Sequence, residues 1–409
     1  MSNAASMPSA TASNTRSKVY QVCVRCVMDT SDANITFDHS GICSHCHNFE
    51  SNIRPFWMPN TEGAEKLDRL LNEVRTQGAG KPYDCIIGLS GGVDSSYLAT
   101  RLKSWNLRPL VVHVDAGWNS ELAVKNIEQI TTRLGFELET VVIDWEEMRD
   151  LQRAFLQAHV ANQDIPQDHA FAASLVHQAL KHKIKYVISG SNFATEGVLP
   201  QSWGYDAMDG DHIRSIQTSF GTRKLKKFPI LSFRDYYVTM LEKLCFIEPL
   251  NLIPYDKESA IRMLEQDFGW RYYGGKHYES VWTRWYQAYY LPRKFGFDKR
   301  RAHLSSLIVA GSLTRDNALL ELERPLYTDN LLAADTAYIA KKLGYSVDEL
   351  EMLVQAPARH YSEFGTNELR LTQFRKQREV VARLTSIARF ATSPRRVYRK
   401  LKSVVGVQS

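Results

Sequence analysis

Two groups of residues in this sequence have the types and spacing that do chemistry. The first is Cys23-x2-Cys26-x16-Cys43-x2-Cys46, four thiols within 24 residues. Each Cys-x2-Cys pair lets one tight turn present two thiolates to the same ion, the spacing of a four-thiolate zinc site. Four sulfurs leave no open coordination position, so the expected role is a structural Zn2+. The segment is too small to fold alone, and metal binding would supply its folding energy, on the order of 10 kcal/mol. His39, His45 and His47 stand nearby as alternative ligands. The second group is Ser90-Gly91-Gly92-Val93-Asp94-Ser95-Ser96, which follows an apolar run ending at Leu89. Its two glycines let backbone N–H groups close on phosphate oxygens, and the start of the next helix adds the positive end of its dipole. Ser90, Ser95 and Ser96 offer hydroxyls, and Asp94, an acid beside a polyanion, suits a Mg2+ ligand. No Gly-x4-Gly-Lys-Ser/Thr run occurs, which excludes a Walker-type NTPase.

The elements that must position these groups follow from apolar periodicity. Glu62–Gln77 carries Leu67, Leu70, Leu71 and Val74 at helical spacing. Cys85–Leu89, Leu110–Val114, Leu138–Ile143 and Tyr186–Ser189 read as short buried strands. Helices over Ser95–Trp105, over Glu121–Leu134 and between Glu146 and Lys183 separate them. That alternation predicts βαβ units and a parallel α/β sheet, whose ligands bind beyond the carboxyl ends of the strands. The Ser90 loop, Val114-Asp115-Ala116-Gly117 and Ser189-Gly190-Ser191-Asn192 all follow such ends. Beyond Pro229 the pattern turns helical and rich in aromatics and arginine, to about Leu369.

The expected organisation is therefore a disordered leader over 1–18, a zinc-binding module over 19–50, and a nucleotide domain over 62–230. A helical region over 231–369 and a basic tail over 370–409 complete it. Of the net charge of +6, the tail from Arg370 to Ser409 holds eleven Lys/Arg against Glu379 alone, a local +10 that leaves −4 for the rest. Val380, Val381, Leu384, Ile387 and Phe390 interleave there with Arg383 and Arg389, a spacing that fits an amphipathic helix against an anionic membrane surface or a partner subunit. No apolar run approaches the roughly 18 to 20 residues of a membrane span. The expected location is the cytoplasm, with peripheral association at the inner membrane. Only Cys85 and Cys245 lie outside the cysteine module; they read as buried in a strand and at the apolar end of a helix.

Ser-Gly-Gly-Val-Asp-Ser-Ser after a strand resembles the pyrophosphate loop of the PP-loop N-type ATP pyrophosphatases. These have an adenine nucleotide alpha hydrolase-like fold, and the group includes asparagine, GMP and NAD synthetases and tRNA thiolases. The resemblance implies that Ser90 through Ser96 grip the ATP phosphates and Mg2+, and that Asp115, Gly190, Ser191 and Asn192 lie near the nucleotide. Further along come Lys276-His277-Tyr278-Glu279-Ser280-Val281-Trp282-Thr283-Arg284-Trp285-Tyr286-Gln287 and Leu291-Pro292-Arg293-Lys294-Phe295-Gly296-Phe297-Asp298-Lys299-Arg300-Arg301-Ala302-His303-Leu304-Ser305-Ser306-Leu307-Ile308. They bring Lys294, Lys299, Arg300 and Arg301 close in sequence to His277, Glu279 and Asp298. Cations are wanted where pyrophosphate charge builds or a sugar nucleotide's diphosphate is held, and His277 or Glu279 can take a proton from an amine. Arg284, Lys294, Asp298 and Arg300 are thus candidate substrate or pyrophosphate ligands, and Arg301 a catalytic one.

Together with Cys-x2-Cys-Val-Met-Asp-Thr-Ser-Asp near the N-terminus, these runs resemble the N-acetyl sugar amidotransferases of bacterial surface-polysaccharide synthesis. The resemblance implies an ATP-dependent conversion of an acetamido group on a nucleotide sugar into an acetamidino group, with release of AMP and pyrophosphate. It matches Lys257 to a lysine facing the pyrophosphate. Ser2 stands where glutamine-hydrolysing relatives carry a nucleophilic Cys, and no Gly-x-Cys-x-Gly elbow occurs. A separate glutaminase subunit is therefore the expected source of ammonia, and no nucleic acid is expected. The alternative is a tRNA-thiolating enzyme of the same group.

Overall fold

The computed structural model describes residues 19–240, 243–274, 279–374 and 376–377. The leader over 1–18, His277 and the tail helix around Val380–Phe390 lie outside them. In chain order the elements are α1 (Thr61–Gly78), β1 (Cys85–Gly88), α2 (Val93–Ser104), β2 (Pro109–Asp115), α3 (Glu121–Leu134) and β3 (Glu137–Val142). Then come α4 (Trp145–Ala158), α5 (Ile165–Lys181), β4 (Tyr186–Ile188), α6 (Gly210–Phe220), β5 (Cys245–Ile247) and α7 (Lys257–Phe268). The C-terminal region joins the helical pieces Val281–Trp285, Tyr286–Tyr290 and Leu291–Phe295 to α8 (Lys299–Val309), α9 (Arg315–Glu323), α10 (Asp329–Leu343) and α11 (Val347–Gln355). The expected parallel α/β sheet, cysteine module and helical C-terminal region are what the chain adopts.

The strands run parallel in the order β3-β2-β1-β4-β5. The chain winds one way through β1, β2 and β3, then returns to lay β4 beside β1 and continue outward. The winding reverses between β1 and β4, which opens a crevice at their carboxyl ends. Side chains of a strand alternate between faces. Ile86, Leu110, Val112 and Val187 join one core with α4, α5 and the C-terminal helices, while Cys85, Ile87, Val111 and Ile188 join another with α1, α2, α3 and α7.

One expectation is corrected. Cys245 sits not at a helix end but in β5, paired with Tyr186 of β4. A run as short as Cys245-Phe246-Ile247 carries no period that separates strand from helix; the free edge of β4 decides it.

Candidate active site

The loop after β1 is tied down from several sides. Leu89 N–H extends the ladder to Val112 O at 2.9 Å, and the chain then turns through Gly91 at φ +81°. A Cβ at Gly91 would stand 2.7 Å from the Ala123 carbonyl oxygen at the start of α3, closer than a side chain tolerates. Trp270 Nε1 donates to Gly91 O at 3.0 Å. Ser90 Oγ accepts from Gly92 N at 3.2 Å and lies 3.2 Å from Ser95 Oγ. Gly92 caps α2 with no side chain of its own, so no side chain of the cap takes the N–H groups of the first turn. Val93 N donates to the Tyr273 hydroxyl at 3.2 Å, and the Tyr255 hydroxyl donates to half-buried Asp94. Burial pushes both phenols well above the usual tyrosine range, so they remain donors at neutral pH. Lys257 opens α7 two residues after Tyr255, half-buried.

Two further loops close on this one. Ser189–Asn192 follows β4, and a Cβ on Gly190 would lie 3.2 Å from Ser95 N. Ser191 N donates to Ser189 Oγ at 3.2 Å, and Asn192 caps the turn Phe193–Glu196 through Thr195 N. After β2, Asp115 Oδ1 accepts from Gly117 N at 2.8 Å. Trp118–Ser120 then pairs with Glu279–Val281, with Ser120 N to Glu279 O at 2.8 Å and Val281 N to Trp118 O at 3.1 Å. That pairing brings Glu279 beside the glycine loop, where its Oε1 would meet a Cβ on Gly92 at 3.5 Å.

Between these loops lies a cavity of about 740 Å³. Ser90, His113, Ser189 and Ser191 line it from the sheet ends, with Asn162, Asp164, Gln167 and Asp168 along the start of α5. Glu279, Ser280, Thr283, Gln287, Lys299 and His303 line it from the C-terminal helices. Burial lowers the pKa of His113, whose Nδ1 lies 3.1 Å from Leu89 O and Nε2 3.2 Å from Asn119 Nδ2. The geometry fits a neutral ring that donates through Nδ1 and accepts through Nε2.

The basic run of the C-terminal half divides differently from the sequence expectation. Of its cations Lys299 lines the cavity; Arg284, Lys294, Arg300 and Arg301 do not, nor does Asp298. Arg284 pairs with buried Asp335 at 2.7 Å. Lys294 caps α11, donating to Leu353, Val354 and Ala356 carbonyls, and burial lowers its pKa to about 8. Arg300 pairs with Asp298 and holds the carbonyls of Glu321, Leu322 and Arg324. Arg301 pairs with Asp29 at 3.0 Å and donates to Val27 O. Residues adjacent in a helix point in different directions, so a sequence cluster need not be a spatial one. His113, Asn162, Asp164, Gln167 and Asp168 are cavity residues that the sequence marks only as polar interruptions of apolar patterns, and His303 lies within the basic run without a role of its own there.

The four cysteines form a compact buried set, with ligand atoms all within 4.8 Å of one another. Sγ–Sγ separations of 3.6, 3.7 and 3.9 Å match the ~3.8 Å edge of a tetrahedron with metal–sulfur bonds of about 2.3 Å. Backbone N–H groups of Arg25, Cys26 and Cys43 point at Cys23 Sγ, and Met28 N at Cys26 Sγ, as thiolates require. The residues fit a structural Zn2+. His45 and His47 turn instead to Asp32 and Asp38. The module is seated on α8 and α9: Val27 N donates to Ser305 Oγ, and the Arg315 guanidinium donates to Cys23 O and Cys26 O. Among the described residues no helix is long and apolar enough to cross a membrane.

Residues 279–378 match the family model described as LPS biosynthesis protein WbpG-like, C-terminal domain. The chain carries a WbpG-like C-terminal domain. The family resemblance read from the sequence is borne out there, and this WbpG-like segment supplies Glu279 through His303, one whole wall of the cavity. No curated protein matches the sequence. Similar solved structures include NMN synthetase from Francisella tularensis, at 18% identity over 33% of this chain and 57% of that one, with a TM-score of 0.26. NH3-dependent NAD synthetase from Campylobacter jejuni is similar at 16% identity over 69% and 97%, TM-score 0.28. A predicted subunit of tRNA methyltransferase from Methanocaldococcus jannaschii is similar at 19% over 45% and 74%, TM-score 0.25.

Proposed function

We propose that the chain uses ATP–Mg2+ to adenylylate the acetamido oxygen of an N-acetyl sugar nucleotide, and that ammonia then displaces AMP to leave an acetamidino sugar. The setting is the synthesis of lipopolysaccharide O-antigen or a related surface polysaccharide. One observation carries the reading: a single cavity has Ser90, the first residue of the glycine loop, on one wall and the WbpG-like domain on the other. An amide oxygen is a poor leaving group, and its transfer to a nucleotide phosphate is the chemistry that a phosphate-holding loop beside a substrate cavity can provide.

In this reading Ser90–Ser96 hold the phosphates, Asp94 takes Mg2+, and Asp115 with Gly190, Ser191 and Asn192 line the nucleotide side. Lys257 meets the pyrophosphate, and Glu279 faces the phosphate loop. A structural Zn2+ in the four cysteines keeps α8, and with it Lys299 and His303, in register. Ammonia comes from a separate glutaminase subunit, the enzyme works in the cytoplasm, and residues 370–409 contact the inner membrane or a partner. Thiolation finds no support in the thiols: burial raises the pKa of both Cys85 and Cys245, which makes them poor nucleophiles. The test is isotopic. With oxygen-18 in the acetamido group, the label should appear in the phosphate of AMP; label that stays in the sugar or enters pyrophosphate refutes adenylylation of the amide oxygen.

A further inference from the structure

Asp164 occupies the residue before α5, where an aspartate ordinarily caps the helix. Here it does not: its backbone is at φ −85°, ψ −9°, and its side chain takes no N–H of the helix. Both hydrogen bonds that its carboxylate receives fall on Oδ1, from Gln167 Nε2 at 3.1 Å and from Thr283 Oγ1 at 3.2 Å. Its own N–H is taken by Asn162 Oδ1 at 3.2 Å. The residue is 7% exposed and still lines the cavity. Asp168, one turn along α5 and exposed, lines it too, as does half-buried Lys299. Glu196, Glu279, His113, His303 and Tyr205 are the other ionisable groups on its walls.

We propose that Asp164 binds the ammonium ion and takes its proton, releasing neutral ammonia toward the adenylylated amide carbon. This rests on the amidotransferase reading above. Ammonium has only donors, and the acceptor that this wall offers it is Asp164 Oδ2, on which neither the Gln167 nor the Thr283 hydrogen bond falls. Asp168 and Lys299 are the charges that act on Asp164; once it is ionised the three sum to −1, which a monocation neutralises. Glu279, by contrast, sits on the glycine-loop side, against the position of a Gly92 Cβ. Burial, reinforced by the charge of Asp168 and opposed by Lys299, pushes the Asp164 carboxyl up to about 8, which suits a base for ammonium.

The Asp164 carboxylate takes one proton from ammonium, and the freed nitrogen lone pair forms the C–N bond. The C–O bond to the adenylate breaks with its electron pair going to AMP. A second proton from that nitrogen leaves with the AMP phosphate, and an amidinium remains.

The test compares two nucleophiles in the full-length enzyme. At about pH 8.5 Asp164 is mostly ionised and ammonium is still mostly protonated, so ammonium must lose a proton before it attacks, whereas hydroxylamine is already neutral. In Asp164→Asn, ammonium-dependent turnover should fall by ~100-fold or more, while hydroxylamine-dependent turnover stays within about 10-fold of wild type. Equal losses with both nucleophiles, or none with ammonium, would overturn the assignment. Asp168→Asn provides a second readout: removing its charge should shift the acid limb of the ammonium pH–rate profile to lower pH, and an unmoved limb counts against the pair. Wild type inert to both nucleophiles with every N-acetyl sugar nucleotide, yet folded and able to bind ATP–Mg2+, would overturn the amidotransferase reading and this assignment with it.

Discussion

Replacing Gly91 by Ala should both destabilise the fold and disable the loop, and the two contributions can be separated. At φ +81° an L-residue carries strain of about 1–2 kcal/mol. The added methyl would also stand 2.7 Å from Ala123 O and 3.2 Å from its carbonyl carbon, both backbone atoms that cannot rotate away. Forcing that contact apart costs a further ~1–3 kcal/mol, by analogy with over-packed cores. Gly80 provides the control, because an alanine at its φ of +74° would bear similar strain but meet nothing within 4 Å of its Cβ. Gly80→Ala should therefore cost only the ~1–2 kcal/mol of strain. Urea unfolding of the two variants, compared at equal slope, measures the difference that belongs to the Ala123 contact. Repeating the titration with ATP–Mg2+ reads the functional part: a ligand that binds the native state stabilises it by mass action. Wild type and Gly80→Ala should be protected and Gly91→Ala should not. If Gly91→Ala unfolds with Gly80→Ala and keeps ATP protection, the loop is not held against Ala123 of α3 as described.

Three further outcomes follow from the structure. Cys43→Ser should remove the metal from the N-terminal module and lower stability, read by elemental analysis beside unfolding; a variant as stable as wild type would show that the module is not held by a metal. Arg284→Ala leaves Asp335, its side chain 8% exposed, without its buried counter-charge and should cost ~3–5 kcal/mol; a cost below about 1 kcal/mol, as for a surface pair, would contradict the burial. Asp150 is desolvated, yet hydrogen bonds from the Thr222 hydroxyl and N–H, Arg223 N–H and Gln217 outweigh that burial and hold its pKa below the usual range. Its stabilisation is fully present above the unfolded value of about 4 and is lost as pH falls through the lowered folded value. Asp150→Asn should thus cost ~1–3 kcal/mol at pH 7, a gap that narrows in acid; a gap constant with pH would refute the assignment.

How far the sequence was legible depended on whether the signal was local. The four inner and edge strands β1 to β4 are apolar runs between helical patterns, and the cysteine spacing and the Ser90 loop each encode their geometry within a few residues. The strand β5 is three residues whose state is set by pairing with Tyr186–Ile188, which no local pattern contains. The same holds for the polar wall of the cavity. Asp164 precedes Ile165-Pro166, where no local pattern signals that its carboxylate leaves the helix uncapped and takes a hydrogen bond from distant Thr283 instead. Conversely, Arg300 and Arg301 looked alike as neighbours in a basic run. The helix sends one to the end of α9 and the other to Asp29 in the cysteine module.

The central claim is the conversion of an amide to an amidine at the expense of ATP. Its most direct measurement is mass spectrometry of the products after incubation of the full chain with ATP–Mg2+, ammonium and a panel of nucleotide-linked N-acetyl sugars. The account predicts a sugar lighter by the difference between O and NH, formed in step with AMP and pyrophosphate and lost in Asp94→Ala. Unchanged masses across the panel, with AMP release stimulated instead by bulk tRNA, would contradict it.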